Sequence, residues 1–265
     1  MRDVCINGRF VRAAEASIPA DNRGFLLGDG IFETIRIADG VLQHCDRHMA
    51  RLSHGLDVLR FPSIHQDDLV EDMLALLRHN AVKSGALRLT ISRGSGPRGL
   101  TPPDPASPHY VITTHDTPQT MAEVRLAVAR FPKDHLSPLA VIKHTNYLPA
   151  ILARCEAIEQ GFDDALFLNS DGFVAEASAA NIIVLSAGRL VTPPVRDGAL
   201  PGISRARLLE QNLCSEKSLT AYELTEADAI WLSSTLGLVA VSHIHHHAIP
   251  RNAMMHRKLT RFLFG

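Results

Sequence analysis

An excess of charge of either sign is what this sequence most plainly lacks. Its 27 Lys and Arg face 28 Asp and Glu, leaving a formal net charge of −1. Without a basic surplus there is no electrostatic argument for nucleic acid or an anionic membrane as partner. No apolar run approaches the roughly 20 residues that span a bilayer. The start of the chain shows no charged-then-apolar leader pattern, since Gly8 follows closely on Cys5 and Asn7. Cysteine is scarce as well. Cys5, Cys45, Cys155 and Cys214 have no paired spacing, which excludes a CxxC metal site and predicts free thiols in a reducing cytoplasm. There is no internal repeat, no low-complexity block and no nucleophile elbow. Gly28-Asp29-Gly30 is followed by no third glycine, so it makes no dinucleotide fingerprint. The run His243 to His247 invites a metal, but second ligands at helical spacing are missing, and a polar strand end is the expectation there.

What is present is a mixed pattern of short strands and helices. At 265 residues the chain is long enough for a large core and two modest domains. Residues 2–42 read as a β meander with turns at Asn7-Gly8 and Asp39-Gly40, and 31–37 alternates with period 2. The glycine-rich stretch 21–30 implies backbone running close to something. Helical spacing follows at Met49, Leu52, Leu56 and Leu59, then a second helix from about 67 to 82, and strands at 87–92 and 110–114. The loop from Arg93 to Pro108 between these strands is long enough to be functional. After it, the pattern predicts a strand at 124–130, a helix at 148–160, hairpins at 165–176 and 181–192, and a helix at 204–212. Strands near 221–224, 229–233 and 238–241 and a last helix complete it. Many antiparallel hairpins make this α+β. The expected division is a small N-terminal α/β domain at 1–115, a linker at 116–120 and a larger C-terminal domain at 121–265.

Several stretches have the residue types that chemistry needs. The chain has five lysines, and only Lys143 follows an apolar run, Leu139 to Ile142. Burial lowers a lysine pKa, and a neutral amine attacks carbonyls. Most lysines so placed merely snorkel at a strand end, and position alone does not choose. Glu176 ends an apolar strand beside the small residues 177–180, which leave room for a flat ligand. A buried carboxylate there needs a partner, whereas an exposed one simply faces water. Gly202-Ile203-Ser204-Arg205 opens a helix, where free N–H groups and the helix dipole form a phosphate seat or an ordinary capped start. Ser233-Ser234-Thr235 offers a second cup of hydroxyls. Arg51, on the edge of an apolar stripe, can reach a phosphate or lie on a solvated face. Arg93 and Arg98 place two guanidiniums on the glycine-rich loop, suited to a substrate carboxylate or to solvent.

Taken together, Arg23 to Thr34, His48 to Leu52, Ile142 to Leu148, Glu176 to Ile182, Thr192 to Pro194 and Gly202 to Arg205 resemble the class IV aminotransferase family, the pyridoxal-phosphate enzymes of fold type IV. The match covers nearly the whole chain. The resemblance implies a two-domain fold with the site at the domain interface, a C-terminal domain that binds pyridoxal 5′-phosphate, and a homodimer acting on a small amino substrate. It implies that Lys143 holds the cofactor covalently and later shuttles the proton, with Thr34 as a second catalytic position. Glu176 would pair with the ring nitrogen. Arg51, Ile203, Ser204, Ser234 and Thr235 would bind phosphate, Tyr147 would lie beside the cofactor, and Arg93 or Arg98 would hold a substrate carboxylate. Phe32-Glu33-Thr34 and residues 93–99 look like the aminodeoxychorismate lyases of this family. Leu100 departs from the tyrosine common there. The implied activity is 4-amino-4-deoxychorismate lyase, with amino transfer from a branched-chain or D-amino acid to a 2-oxo acid as the alternative.

Overall fold

A computed structural model describes residues 2–117 and 121–265. The chain divides into two units, Met1–Pro118 with Ile142–Asn146, and Gln119–Val141 with Tyr147–Gly265. The linker expected at 116–120 falls partly on residues 118–120, outside the described residues. The short segment bearing Lys143 belongs to the first unit, although the chain on both sides of it belongs to the second.

The first unit is one sheet covered by two helices. In chain order it holds β1 (Asp3–Ile6), β2 (Arg9–Arg12), α1 (Arg23–Leu27), β3 (Gly30–Ala38), β4 (Val41–Leu42), α2 (Cys45–Val58), α3 (Gln66–His79), β5 (Gly85–Ser92) and β6 (His109–His115). The strands run in the order β2-β1-β6-β5-β3-β4, and every pairing is antiparallel. Alternation sorts β3. Ile31, Ile35 and Ile37 enter the core with Met49, Leu52 and Leu56 of α2 and Leu69, Met73 and Leu76 of α3. Those helical residues recur at three- and four-residue spacing, so one face of each helix is apolar. Glu33 shares the core-facing side of β3 and is fully buried. Phe32 and Thr34 lie on the other side.

The second unit is built on a larger mixed sheet. It comprises β7 (Glu123–Val128), α4 (Leu148–Glu159), β8 (Asp164–Leu168), β9 (Val174–Ala177), β10 (Asn181–Ser186), β11 (Arg189–Thr192), α5 (Ile203–Glu210), β12 (Ser215–Glu216), α6 (Ala221–Thr225), β13 (Ala229–Ser234), β14 (Gly237–Ile244), β15 (His247–Ala248) and α7 (Ala253–Phe264). Its order is β12-β11-β10-β13-β14-β7-β8-β9, with β15 paired to β14. Successive residues of β10 and β13 point to opposite faces. Ile182, Val184, Ile230 and Leu232 fill one core; Ile183, Leu185, Ala229 and Trp231 fill another, which α7 closes with Leu259 and Leu263. Helix α4 packs through Ala153 and Ala157 onto Ala127, Ala165 and Phe167.

Two expectations of secondary structure need correction. The strand expected near 221–224 is the helix α6. Thr220 caps it and accepts from the Glu223 N–H, while the Glu223 side chain accepts from the Thr220 N–H. This capping box outweighs the β-prone look of Ala-Tyr-Glu-Leu. The apolar run before Lys143 is a 3₁₀ turn at Pro138–Val141 rather than a strand. The histidine run is the end of β14 and its turn into β15. His245 takes a left-handed conformation there, with its Nε2 accepting from the Val128 N–H. Among the described residues no group of His, Cys, Asp or Glu is placed to hold a metal ion.

Candidate active site

Lys143 is held by its neighbours' backbone. The Phe32 N–H donates to the Lys143 carbonyl at 2.9 Å, the Thr145 N–H donates to the Gly30 carbonyl at 3.0 Å, and Ile31 bridges His144. The segment thus extends the first sheet along the start of β3. Its far end is pinned to the glycine-rich stretch. Thr145 Oγ1 donates to the Gly28 carbonyl at 2.7 Å, and Asn146 Nδ2 donates to the same oxygen at 2.9 Å. This close approach is why position 28 is glycine. It lies at φ +67°, and a Cβ there would stand 2.2 Å from Asn146 Oδ1.

The half-buried Lys143 amine lies 4.4 Å from the centroid of the Phe32 ring, a face that attracts cations. Arg88 shares that ring, with Cζ 3.7 Å from the centroid. In the strand register Arg88 stands opposite Thr34. Phe32, Thr34 and Arg88 therefore occupy one face of the sheet with the lysine amine. Arg88 escaped the sequence reading because it sits in a strand whose only visible signal is alternation.

Arg51 lies on α2, one position before the core residue Leu52. Its Nε donates to Glu33 Oε1 at 2.8 Å and its Nη2 to Glu33 Oε2 at 2.7 Å. His48 Nδ1 lies 2.7 Å from Glu33 Oε2. Burial pushes the Glu33 carboxyl up, but the hydrogen bonds and charges of Arg51 and His48 outweigh it and hold the group below the usual carboxylate range. A buried charge of this kind needs its partners. The fork of Arg51 is thereby fixed in direction.

The loop arginines are placed differently from one another. Arg93, expected to meet a substrate carboxylate, is buried with its fork turned to the protein. Its Nε donates to Asp29, its Nη1 to the Arg60 carbonyl and its Nη2 to the Leu59 carbonyl, and its guanidinium stacks over Phe61. Arg23 approaches the same Asp29 and donates to the carbonyls of Gly99, Leu100 and Thr101. Burial raises the Asp29 carboxyl, and the hydrogen bonds and charges of Arg93 and Arg23 bring it below its ordinary value. Arg98 is exposed on the loop so anchored.

In the second unit Glu176 leaves β9 beside Asn181. Its Oε2 accepts from the Leu200 N–H at 2.9 Å and from Asn181 Nδ2 at 3.4 Å. Its Oε1 accepts from Lys133 Nζ. Lys133, which the sequence places merely among polar residues, was overlooked as a partner because the pairing depends on how distant chain segments come together. The N-terminus of α5 has glycine as its cap, so no side chain takes up its first N–H groups. A Cβ on Gly202 would come 2.0 Å from Asn181 Oδ1. Ser204 Oγ donates to the Ser234 carbonyl at 3.1 Å, and Ser234 Oγ accepts from the Leu236 N–H at 3.1 Å. The structure therefore joins the helix start and the turn holding Thr235. Ser233 Oγ is buried there with no hydrogen-bond partner among the described residues. Tyr147 is the half-buried cap of α4.

The chain is similar to several known proteins. The profile of the family described as amino-transferase class IV matches residues 30–244. A putative branched-chain-amino-acid aminotransferase of Methanocaldococcus jannaschii is 32% identical over 88% of this chain and 84% of its own length. The aminodeoxychorismate lyase of Vibrio harveyi is 30% identical over 95% of this chain and 96% of its own. The crystal structure of a putative 4-amino-4-deoxychorismate lyase from Legionella pneumophila superposes with a TM-score of 0.87 at 32% identity, covering 95% of this chain and 96% of that one.

Proposed function

The chain belongs to the class IV aminotransferase family, and on that premise we propose that it is a pyridoxal-phosphate enzyme with 4-amino-4-deoxychorismate lyase activity, releasing pyruvate and 4-aminobenzoate. The donor set fits the cofactor. Lys143 offers an amine to its aldehyde, Glu176 a carboxylate to its ring nitrogen, and Tyr147 a phenol beside the ring. Arg51 and the N–H groups and hydroxyls of Ile203, Ser204, Ser234 and Thr235 suit its phosphate. Gly202 supports this reading, because the α5 start carries no side-chain cap that a phosphate would have to displace.

When bound, the cofactor supplies the electron sink that makes the hydrogen next to the substrate nitrogen acidic. The Lys143 amine would take that proton. The Thr34 hydroxyl would donate a hydrogen bond to the ether oxygen of the enolpyruvyl group as its bond to the ring breaks, so that the group leaves as an enolate. The Lys143 ammonium would then return its proton to the methylene carbon of that enolate, giving pyruvate. Arg88 and the exposed Arg98 meet the substrate carboxylates. Arg93 anchors the loop through Asp29.

The observation that supports lyase over transfer is Thr34. An elimination gains from a hydrogen-bond donor at the leaving oxygen, and a hydroxyl stands on the same sheet face as the lysine amine. Amino transfer is the second reading, favoured by the M. jannaschii relative; it uses the same Lys143 and has no leaving oxygen to serve. The test is an assay of 4-aminobenzoate formation from 4-amino-4-deoxychorismate beside 2-oxoglutarate-dependent transamination. Wild type is expected to form 4-aminobenzoate, and Thr34→Val to lose about 10²-fold in kcat. Robust transamination with no 4-aminobenzoate would sink the lyase reading.

A further inference from the structure

We propose that Lys133 is a positioning residue for Glu176, keeping that carboxylate ionised and aimed so that the cofactor's ring nitrogen must carry the proton. The inference rests on the reading above that Glu176 faces this nitrogen.

An ionised carboxylate only accepts, and it has about four lone-pair sites. Lys133 Nζ, the Leu200 N–H and Asn181 Nδ2 supply three donors. The arrangement has room for one more donor and none for a group that accepts. A pyridinium N–H satisfies it; an unprotonated ring nitrogen does not. Of the three donors only Lys133 carries charge. The Glu176 side chain is 12% exposed and that of Lys133 24%, so solvent gives the pair little help. Without Lys133 the carboxylate keeps only neutral donors. Its demand for a protonated ring nitrogen would then be weaker.

The approach of Lys133 is built into the backbone. Its N–H donates to the Leu168 carbonyl at 2.8 Å, and it bridges Asn169 in parallel fashion. Its stem passes Gly198, which lies at φ +103°. A Cβ on Gly198 would stand 3.2 Å from His135 Cβ, 3.3 Å from Ala175 Cβ and 3.6 Å from Lys133 Cδ. A side chain there would press on His135 and Ala175 while only touching the stem, and the left-handed backbone admits few other residues.

The experiment reads the ring nitrogen directly. Enzyme reconstituted with pyridoxal phosphate labelled with ¹⁵N in the ring is compared by NMR for wild type, Lys133→Met, Lys133→Arg and Glu176→Gln. Wild type and Lys133→Arg are expected at the protonated position, while Lys133→Met moves toward the unprotonated one and its visible absorbance band changes with it. Glu176→Gln must move as well. If Glu176→Gln leaves the resonance in place, the assignment of Glu176 to the ring nitrogen falls. If Glu176→Gln moves it and Lys133→Met does not, that assignment stands and the role of Lys133 is refuted. Should Lys133→Met fail to retain the cofactor, melting of the cofactor-free proteins decides. Lys133→Met is expected to lower Tm when Glu176 is present and to have little effect in the Glu176→Gln background. Equal effects in both backgrounds would overturn the pairing.

Discussion

Glu33 and Arg51 are joined by two parallel hydrogen bonds, Nε to Oε1 at 2.8 Å and Nη2 to Oε2 at 2.7 Å. A strand residue facing the core thus directs an arginine on the helix above it. Replacing Glu33 by alanine removes the acceptor that Arg51 and the buried His48 share. Loss of one partner of a buried ion pair costs about 3–5 kcal/mol. Urea unfolding of the cofactor-free protein is expected to show that loss. Titration with pyridoxal phosphate is expected to show at least about tenfold weaker binding, corresponding to 1.4 kcal/mol. Unchanged affinity in a variant that still folds would remove Arg51 from the phosphate site.

Acid sensitivity follows from the same chemistry. The carboxyls of Glu33 and Asp29 both titrate below their ordinary values in the folded protein. Their stabilisation is full above the unfolded values, at roughly pH 4, and is lost as pH falls through the depressed folded ones. Wild type is therefore expected to lose urea resistance steeply below about pH 4. Asp29→Asn should be weaker at pH 7 and show a shallower fall, because one of the two carboxylates no longer titrates. Parallel curves for the two proteins would count against this account.

Lys143→Ala removes the only amine proposed to hold the cofactor. Purified variant should lack the visible band of covalently held cofactor, and turnover should drop by about 10⁴-fold or more, the upper range for loss of an acid–base group. Its fold should persist, because the segment is held through the Lys143 carbonyl and through Thr145 and Asn146 rather than the amine. A band that survives the substitution would point to another lysine.

Gly28→Ala tests how tightly the glycine-rich stretch is clamped. The left-handed conformation costs a non-glycine residue about 1–2 kcal/mol, and the new Cβ would meet Asn146 Oδ1 at 2.2 Å. Stability should fall by about 2 kcal/mol or more. Activity should fall further than stability alone accounts for, since Asn146 is three residues from Lys143. Differential scanning calorimetry beside steady-state kinetics separates the two effects.

Much of this architecture was legible locally. The turns at Asn7-Gly8 and Asp39-Gly40, the apolar stripe of α2 and the start of α5 behind Gly202 are all written in neighbouring residues. The closeness implied by Gly24, Gly28 and Gly30 is also real, with Ser92, Asn146 and Ile91 as the neighbours. Helix α6 was legible and missed, since Thr220 and Glu223 spell a capping box. What sequence could not yield were pairings across long separations. Glu33 finds His48 and Arg51 15 and 18 residues away, Arg93 finds Asp29 at 64, and Glu176 finds Lys133 at 43. Such partners are chosen by the path of the chain, and no local pattern encodes them.

The split ownership of residues 142–146 has a consequence for assembly. Residues 1–118 leave the ribosome without the piece that lines the start of β3, and that piece arrives only after a stretch destined for the other unit. Neither unit can then be excised as one uninterrupted fragment with its full complement of residues. Cutting the gene at the apparent boundary strands the lysine on the wrong side. A circular permutant or split protein would need its break elsewhere, because the chain threads back to deliver one amine and leaves again.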